Sequence, residues 1–477
     1  MNSTPMPGLD DVQGNILKGH GRRHSAIVLF RFGPEVRQNL RLLRAAVTED
    51  SGIRITTARE QQAKADALRR LAGKQFVQPE AYRAARTTSF RSLALTGEGL
   101  RACGFTEENL LRRWGWSPPA DLWAGMSREV LLDPEPWRDP HYRDAPHGAW
   151  ILANDDEDRC EELITACRTV LESQDYGATV TGVERGRRWS PDNPHVTKEP
   201  FGFVDGFART RVATPPDSPL RGLIRRSLNG ILRFAKPFDL PLEQVVLSEP
   251  AAFAGSSFLV LRKLEQNVRE FYRAEHELAP QLQALRRRYK ITDPGALFIG
   301  RNRDGTPLAR GGRPLDNLFH FGGDPEAKRC PFHAHIRKMN LRQNVTPGSG
   351  IGHRADQKAA QFARRGMVYG DPRQLKAFWA DWTRAPKGGV GLLFLGYMSD
   401  ITMQFLMMHR LWALDPRFPT NGHDGTDPLF NVPREPGAPF EWTWPRHGLR
   451  VKLKARFVTP VGGAYFLVPS LRWLRQL

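Results

Sequence analysis

Arg329-Cys330-Pro331-Phe332-His333-Ala334-His335-Ile336-Arg337-Lys338-Met339-Asn340-Leu341-Arg342 sets two imidazoles inside a dense basic run with an apolar lead-in. A neutral imidazole nitrogen is a ligand for iron, and arginine and lysine nearby suit the propionates of haem. A histidine buried between two elements is the plainer reading of His335 taken alone. Upstream, Glu199-Pro200-Phe201-Gly202-Phe203-Val204-Asp205-Gly206-Phe207 holds one carboxylate among glycines and aromatics. Glycine admits positive φ and close approach of the backbone to a flat ligand, and apolar neighbours strip water from Asp205. That setting suits an acid/base catalyst, with an ordinary Asp-Gly turn as the alternative. Downstream, Arg364-Arg365-Gly366-Met367-Val368-Tyr369-Gly370 places fixed positive charge beside a glycine-permitted bend, either at the same site or at a solvated helix end. Carboxylate, imidazole and guanidinium are the three groups a haem peroxidase needs.

These blocks stand in order with Asp11-Val12-Gln13-Gly14-Asn15-Ile16-Leu17, Gly391-Leu392-Leu393-Phe394 and the closing Gly462-Gly463-Ala464-Tyr465-Phe466-Leu467-Val468-Pro469-Ser470. Together they span almost the whole chain, which resembles the dye-decolourising peroxidases. The resemblance implies an α+β fold of two ferredoxin-like domains with antiparallel sheets, and haem held between them mainly by the second. It makes His335 the proximal axial ligand, Asp205 the distal acid/base and Arg364, the first of its pair, the distal cation. Gly202, Gly206 and Arg337 belong to the same cofactor-binding blocks. A carboxylate on the other nitrogen of His335 is also implied, from Asp427 in Gly425-Thr426-Asp427-Pro428-Leu429 or, as a weaker candidate, from Asp400. The implied activity is that of a haem b peroxidase, reducing hydrogen peroxide and oxidising dyes, phenols or similar donors in one-electron steps. A carboxylate base beside a guanidinium remains competent in moderate acid, so dye oxidation is expected to peak below neutrality.

The chain departs from the family pattern in three places. His333 stands where a small residue is expected, either competing as ligand or contacting a propionate. Leu341 replaces a proline where the chain leaves the haem. The segment Gly206 to Arg211 is more basic than usual. None of these removes a catalytic group. A haem-binding or haem-handling protein with little turnover is the alternative, but it has no need of Asp205 and Arg364 together.

The 477 residues, 40% hydrophobic and 25% charged, exceed one core and suit two globular domains. The proline-rich Val212 to Pro219 is the expected boundary, giving domains of residues 1–215 and 216–477. A formal charge of +19, from 70 basic against 51 acidic residues, would draw anionic small reductants, anionic lipid or nucleic acid, with a basic surface that has no dedicated partner as the plainer reading. No nucleic-acid-binding module signature appears, so no specific nucleic-acid partner is expected. Cys103, Cys160, Cys167 and Cys330 form no Cys-x-x-Cys-His, so the haem should be noncovalent. Scattered thiols, no leader pattern at Met1 to Gly8 and no apolar run long enough for a bilayer point to the cytoplasm and no membrane span. No oligomeric state is specified. Strands are expected at Ser25–Phe32, Ser92–Thr96, Trp150–Asn154, Ser257–Leu264 and Val390–Tyr397, each followed by a helix, the last around Phe405 to Trp412. Trp442 and Trp444 are either packing residues or surface stations for electron transfer.

Overall fold

The computed structural model describes residues 8–72, 88–131, 133, 137–190, 196–206, 211–213, 239–317, 319–342, 359–371, 381–420, 422, 425–430 and 440–477. The apolar runs of the first half become β1 (His24–Arg31), β2 (Phe90–Leu95), β3 (Gly148–Asn154) and β4 (Thr179–Arg187). Two short pairs follow, antiparallel β5 (Thr197–Lys198) with β6 (Val204–Asp205), and parallel β7 (Arg211–Ala213) with β8 (Asp239–Pro241). The second half supplies β9 (Ser257–Gln266), β10 (Ala363–Arg364), β11 (Met367–Tyr369), β12 (Gly391–Met398), the hairpin β13 (Phe440–Trp444) with β14 (Leu449–Leu453), and β15 (Val458–Val468).

Chain order and spatial order together reveal two copies of one topology. In the first half the strands lie β4-β1-β3-β2, with helices Val36–Ala45 and Glu157–Leu171 after β1 and β3. In the second they lie β15-β9-β12-β11, with β10 also beside β12 and helix Val268–Leu278 after β9. Each is an antiparallel ferredoxin-like sheet. The sheets join edge to edge into a closed ring, through Val368 opposite Arg187 and Leu467 opposite Leu95.

Side chains of a strand alternate between its faces, and β1 shows what each face requires. Ala26, Val28 and Phe30 pack with Trp150 and Leu152 against Leu42, Leu43, Leu163 and Ile164 of the covering helices. Ile27 and Leu29 pack with Leu259, Leu261, Leu395 and Phe466, which come from the other sheet. Both faces are therefore apolar, and β3 is buried at all of its positions. Each such side chain removed from water contributes about 1.5–3 kcal/mol. The inner faces thus hold the two halves together where the backbone seams are thin.

The N-terminal block reinforces those seams. Gln13 Nε2 donates to Leu93 O at 3.0 Å and to Pro469 O at 2.8 Å, reaching across the β2–β15 junction. Asn15 Nδ2 donates to Tyr397 Oη at 3.0 Å, on β12. Asn15 and Ile16 in turn receive Arg365, whose Nε and Nη2 donate to their carbonyls at 2.9 and 3.0 Å.

The expected strands are all present, and Thr96 caps helix Gly97–Ala102 by accepting from Gly99 N–H. The helix expected around Phe405 to Trp412 is instead wound as two π-helical segments, Ile401–Leu406 and Met408–Ala413. The wider turn redistributes side chains around the axis, and Phe405, Met408 and His409 all reach the cavity described below. The first sheet ends at Arg187 and the second begins at Ser257. The expected boundary at 215/216 lies outside the described residues.

Candidate active site

Against the outer face of the second sheet lies a cavity of about 410 Å³. Its floor includes Arg262, Leu264 and Gln266 of β9 and Leu392 and Phe394 of β12, alternate residues that share one face of their strands. The first half contributes the rim, from Gly19 to Arg22 and from Arg187 to Trp189, and the loop from Thr197 to Gly206.

His335 opens the short helix His335–Met339, and helical spacing decides which of its neighbours join it. His335, Ile336 and Met339 line the cavity, whereas Arg337 and Lys338 turn the other way and are buried. Arg337 donates through Nη1 to Cys330 O at 2.8 Å and through Nη2 to Asp324 O at 2.8 Å, and it stacks over Phe332. It braces the turn leading into His335, so the structure does not bring it to the cavity as the sequence reading expected. Arg342 takes that place: it lines the cavity and is held through Nη1 by Asn317 O at 2.9 Å. Its φ of +46° lies in the left-handed region, where the chain turns after Leu341, itself a buried core residue.

His335 Nδ1 lies 2.7 Å from Asp427 Oδ2, and Asp427 is fully buried. The other carboxylate oxygen accepts from Leu429 N–H at 3.0 Å. A buried carboxylate with both oxygens engaged favours the Nδ1–H tautomer and leaves the Nε2 lone pair available to a metal. Asp400 is occupied elsewhere, capping the first π-helical segment through Met403 N–H at 2.8 Å. His333 does not line the cavity; it is buried, packs against Trp442 with ring centroids 5.3 Å apart, and abuts Gly425. Trp442 and Trp444 are buried in the same core cluster, so neither is a surface station.

Asp205 lies on β6 beside β5, with Thr197 Oγ1 donating to its carbonyl at 2.7 Å. The loop before it turns at Gly202, φ +92°, and the chain leaves through Gly206, φ +74°, which lines the cavity. Arg364 on β10 also lines the cavity, and Ala363 beside it packs into the core. Arg364 keeps accessible surface while lining this cavity. Burial lowers its pKa, and the charge of Asp205 pulls it back up. Arg365 is spent on the N-terminal carbonyls, as described above.

The lining has room for a flat macrocycle between apolar walls that include Ile299, Leu392, Phe394 and Phe430. Arginines outnumber carboxylates around it, and they press on one another: Arg342 is lowered to about 10 by burial and by Arg364. Arg262, 1% exposed, ion-pairs with Asp133 yet has Nε and Nη1 without hydrogen-bond partners. An iron-ligating nitrogen, apolar walls and surplus guanidinium donors are what a haem with two propionates requires.

No family model matches the chain. The multifunctional dye peroxidase DyP2 of Amycolatopsis sp. is 30% identical over 488 residues, covering 98% of this chain and 96% of that protein. This chain belongs to the dye-decolourising peroxidases. The dye-decolorizing peroxidase msp1 of Mycetinis scorodonius is 27% identical across 81% of this chain and 76% of its own length. Among solved structures, a DyP-type peroxidase of Anabaena sp. superposes with TM-score 0.75 at 25% identity, covering 99% of this chain and 98% of that one. DyP2 itself superposes with TM-score 0.75 over 98% of this chain and 96% of its own.

Several site residues of this dye-decolourising peroxidase escaped sequence reasoning. His409 lines the cavity, but its Nε2 lies 3.0 Å from Leu131 O and burial pushes its pKa down to about 3, so it is a neutral wall residue. Glu199, quoted only as a flank of Asp205, also lines the cavity. Its carboxyl was detectable as a second acid near the glycine motif. Arg262 and His409 lie in ordinary strand and helix patterns that carry no such mark.

Proposed function

We propose that this dye-decolourising peroxidase holds a noncovalent haem b through His335 and uses Asp205 and Arg364 to activate hydrogen peroxide. Dyes, phenols and similar donors, anionic ones among them, are then oxidised in one-electron steps. The observation that carries this reading is the 2.7 Å pairing of His335 Nδ1 with buried Asp427 in a cavity that Asp205 and Arg364 also line. When bound, haem supplies the iron redox chemistry that couples O–O cleavage to donor oxidation. Asp427 accepts a hydrogen bond from Nδ1–H and so keeps the Nε2 lone pair of His335 available to hold the iron. Ionised Asp205 takes the proton from one peroxide oxygen and returns it to the other, which leaves as water. Arg364 stabilises the negative charge that develops during the cleavage. Arg342 and Arg262 offer guanidinium donors to the propionates.

The absence of Cys-x-x-Cys-His supports noncovalent attachment. The four cysteines are free and buried, which supports a reducing, cytoplasmic setting. Among the described residues, no helix is long and apolar enough to cross a membrane. The test is an absorbance spectrum of protein purified with adequate haem supply, before and after rapid mixing with peroxide. A Soret band that shifts on mixing, and shifts slowly in Asp205→Asn, is the expected result. A Soret band indifferent to peroxide would leave a haem-handling protein, and no Soret band would remove the cofactor.

A further inference from the structure

Glu199 sits at the hub of the turn that delivers Asp205. Its Oε2 accepts from Phe201 N–H at 2.9 Å and from Gln266 Nε2 at 2.7 Å, and its Oε1 accepts from Phe203 N–H at 2.9 Å. The backbone closes the same turn, Glu199 N–H donating to Phe203 O at 3.0 Å and Gly202 N–H to Glu199 O at 2.8 Å. Two residues later comes Asp205. The carboxyl of Glu199 therefore holds the loop that carries the distal acid/base.

Gln266 supplies the second observation. It is 2% exposed and its Oε1 has no hydrogen-bond partner, although an amide oxygen buried that deeply ordinarily has one. The amide now presents Nε2 to Glu199, the arrangement an ionised carboxylate needs. A half-turn of the amide would present Oε1 instead, the acceptor a protonated carboxyl needs. Neither backbone N–H at Glu199 can accept, so Gln266 is the partner that can serve both protonation states.

We propose that Glu199 and Gln266 form a proton-holding pair in the cavity wall, and that Glu199 acts as a positioning residue whose charge state sets how well Asp205 accepts the peroxide proton. The inference rests on the distal role proposed for Asp205. Burial is the largest influence on Glu199; the three N–H donors oppose it, Asp205 adds to it, and the pKa is raised to about 7. Among the described residues, Tyr272 and Arg303 also face the turn, Tyr272 Oη donating to Phe201 O at 3.3 Å and Arg303 Nε to the same carbonyl at 3.1 Å. Arg303 is itself ion-paired to Glu275 and Asp293. Below neutrality Glu199 is neutral and Asp205 carries the local negative charge alone. Above it, a second carboxylate charge raises the proton affinity of ionised Asp205, by about tenfold for each pKa unit of such coupling, and Asp205 takes the peroxide proton more readily.

Two readouts on the haem-loaded protein test this. Infrared difference spectra across pH should show a protonated carboxyl that titrates near 7 in the wild type. That band should be absent in Glu199→Gln and should titrate lower in Asp205→Asn. In Gln266→Leu the midpoint should rise, because the ionised form loses a charge-assisted hydrogen bond stronger than the neutral one. Stopped-flow rates of the peroxide-induced spectral change should show a rise through about pH 7 in the wild type that is flattened in Glu199→Gln. A wild-type rise retained in Glu199→Gln, or no carboxyl titrating near 7, overturns the proposal. A protein unresponsive to peroxide would instead remove the proposed function, with the infrared titration still deciding the pair.

Discussion

Replacing Asp427 by asparagine changes one oxygen to an amide nitrogen and leaves the shape intact, which isolates the role of the carboxylate. In the native protein each carboxylate oxygen faces one donor, His335 Nδ1–H and Leu429 N–H, at 2.7 and 3.0 Å. Asparagine has one acceptor oxygen for these two donors. If the oxygen turns to His335, the amide NH₂ confronts Leu429 N–H; if it turns to Leu429, the imidazole must adopt the Nε2–H tautomer and ceases to be a ligand. Either way one buried polar group loses its partner, at a cost of about 1–3 kcal/mol. Since each ~1.4 kcal/mol is tenfold in affinity, haem should bind about 5- to 150-fold more weakly. The assay is the rate of haem transfer to an excess of a haem-scavenging apoprotein, followed by the Soret band, in wild type and Asp427→Asn. A transfer rate unchanged by the substitution would refute the assignment of Asp427 and place the stabilisation of His335 elsewhere.

His335→Ala should fail to retain haem, whereas His333→Ala and His409→Phe should keep a Soret band; loss of haem from His333→Ala alone would move the ligand. Arg364→Leu should keep haem but react with peroxide about 10²–10³-fold more slowly in stopped flow. Arg365→Leu should do the reverse, losing about 1–3 kcal/mol in denaturant unfolding through the freed carbonyls of Asn15 and Ile16, with its peroxide reaction intact. Glu199 also couples folding to pH: the folded state holds a proton between 4.5 and about 7 that the unfolded chain has released. The stability from that proton is present in full below 4.5 and declines as pH rises through about 7. Chemical denaturation should show a shallower fall over this range in Glu199→Gln, and parallel curves would contradict the raised pKa.

What could be read from the sequence was whatever carried its chemistry in the residue type. His335, Asp205 and the Arg364-Arg365 pair stood beside glycine or within basic runs, and all four line one cavity. Asp427 was reachable through the resemblance and meets His335 as expected. Arg337 was misplaced because the reading did not assign a helix to the five residues from His335; in a helix, positions i, i+1 and i+4 share a side and i+2 does not. The strand runs announced two sheets, but nothing local encodes single-pair seams between edges so far apart in sequence. The π-helical winding was equally silent, since its apolar pattern looks like that of an ordinary helix over so short a stretch.

The N-terminal staple has a consequence in time. Gln13 and Pro469 are 456 positions apart and Asn15 and Tyr397 are 382 apart, so the ribosome delivers one partner of each hydrogen bond long before the other. Contacts at such separations form late and slowly. The segment from Gly19 to Arg22, which follows the staple and walls the mouth of the cavity, has nearer partners: Gln61 Nε2 donates to Gly19 O at 2.8 Å and Arg22 Nε to Thr88 O at 2.8 Å. The nascent protein therefore passes through a stage in which the rim of the cavity is already fixed to the first half while its floor, on the second sheet, is still to arrive, and the closing of the ring brings the two together.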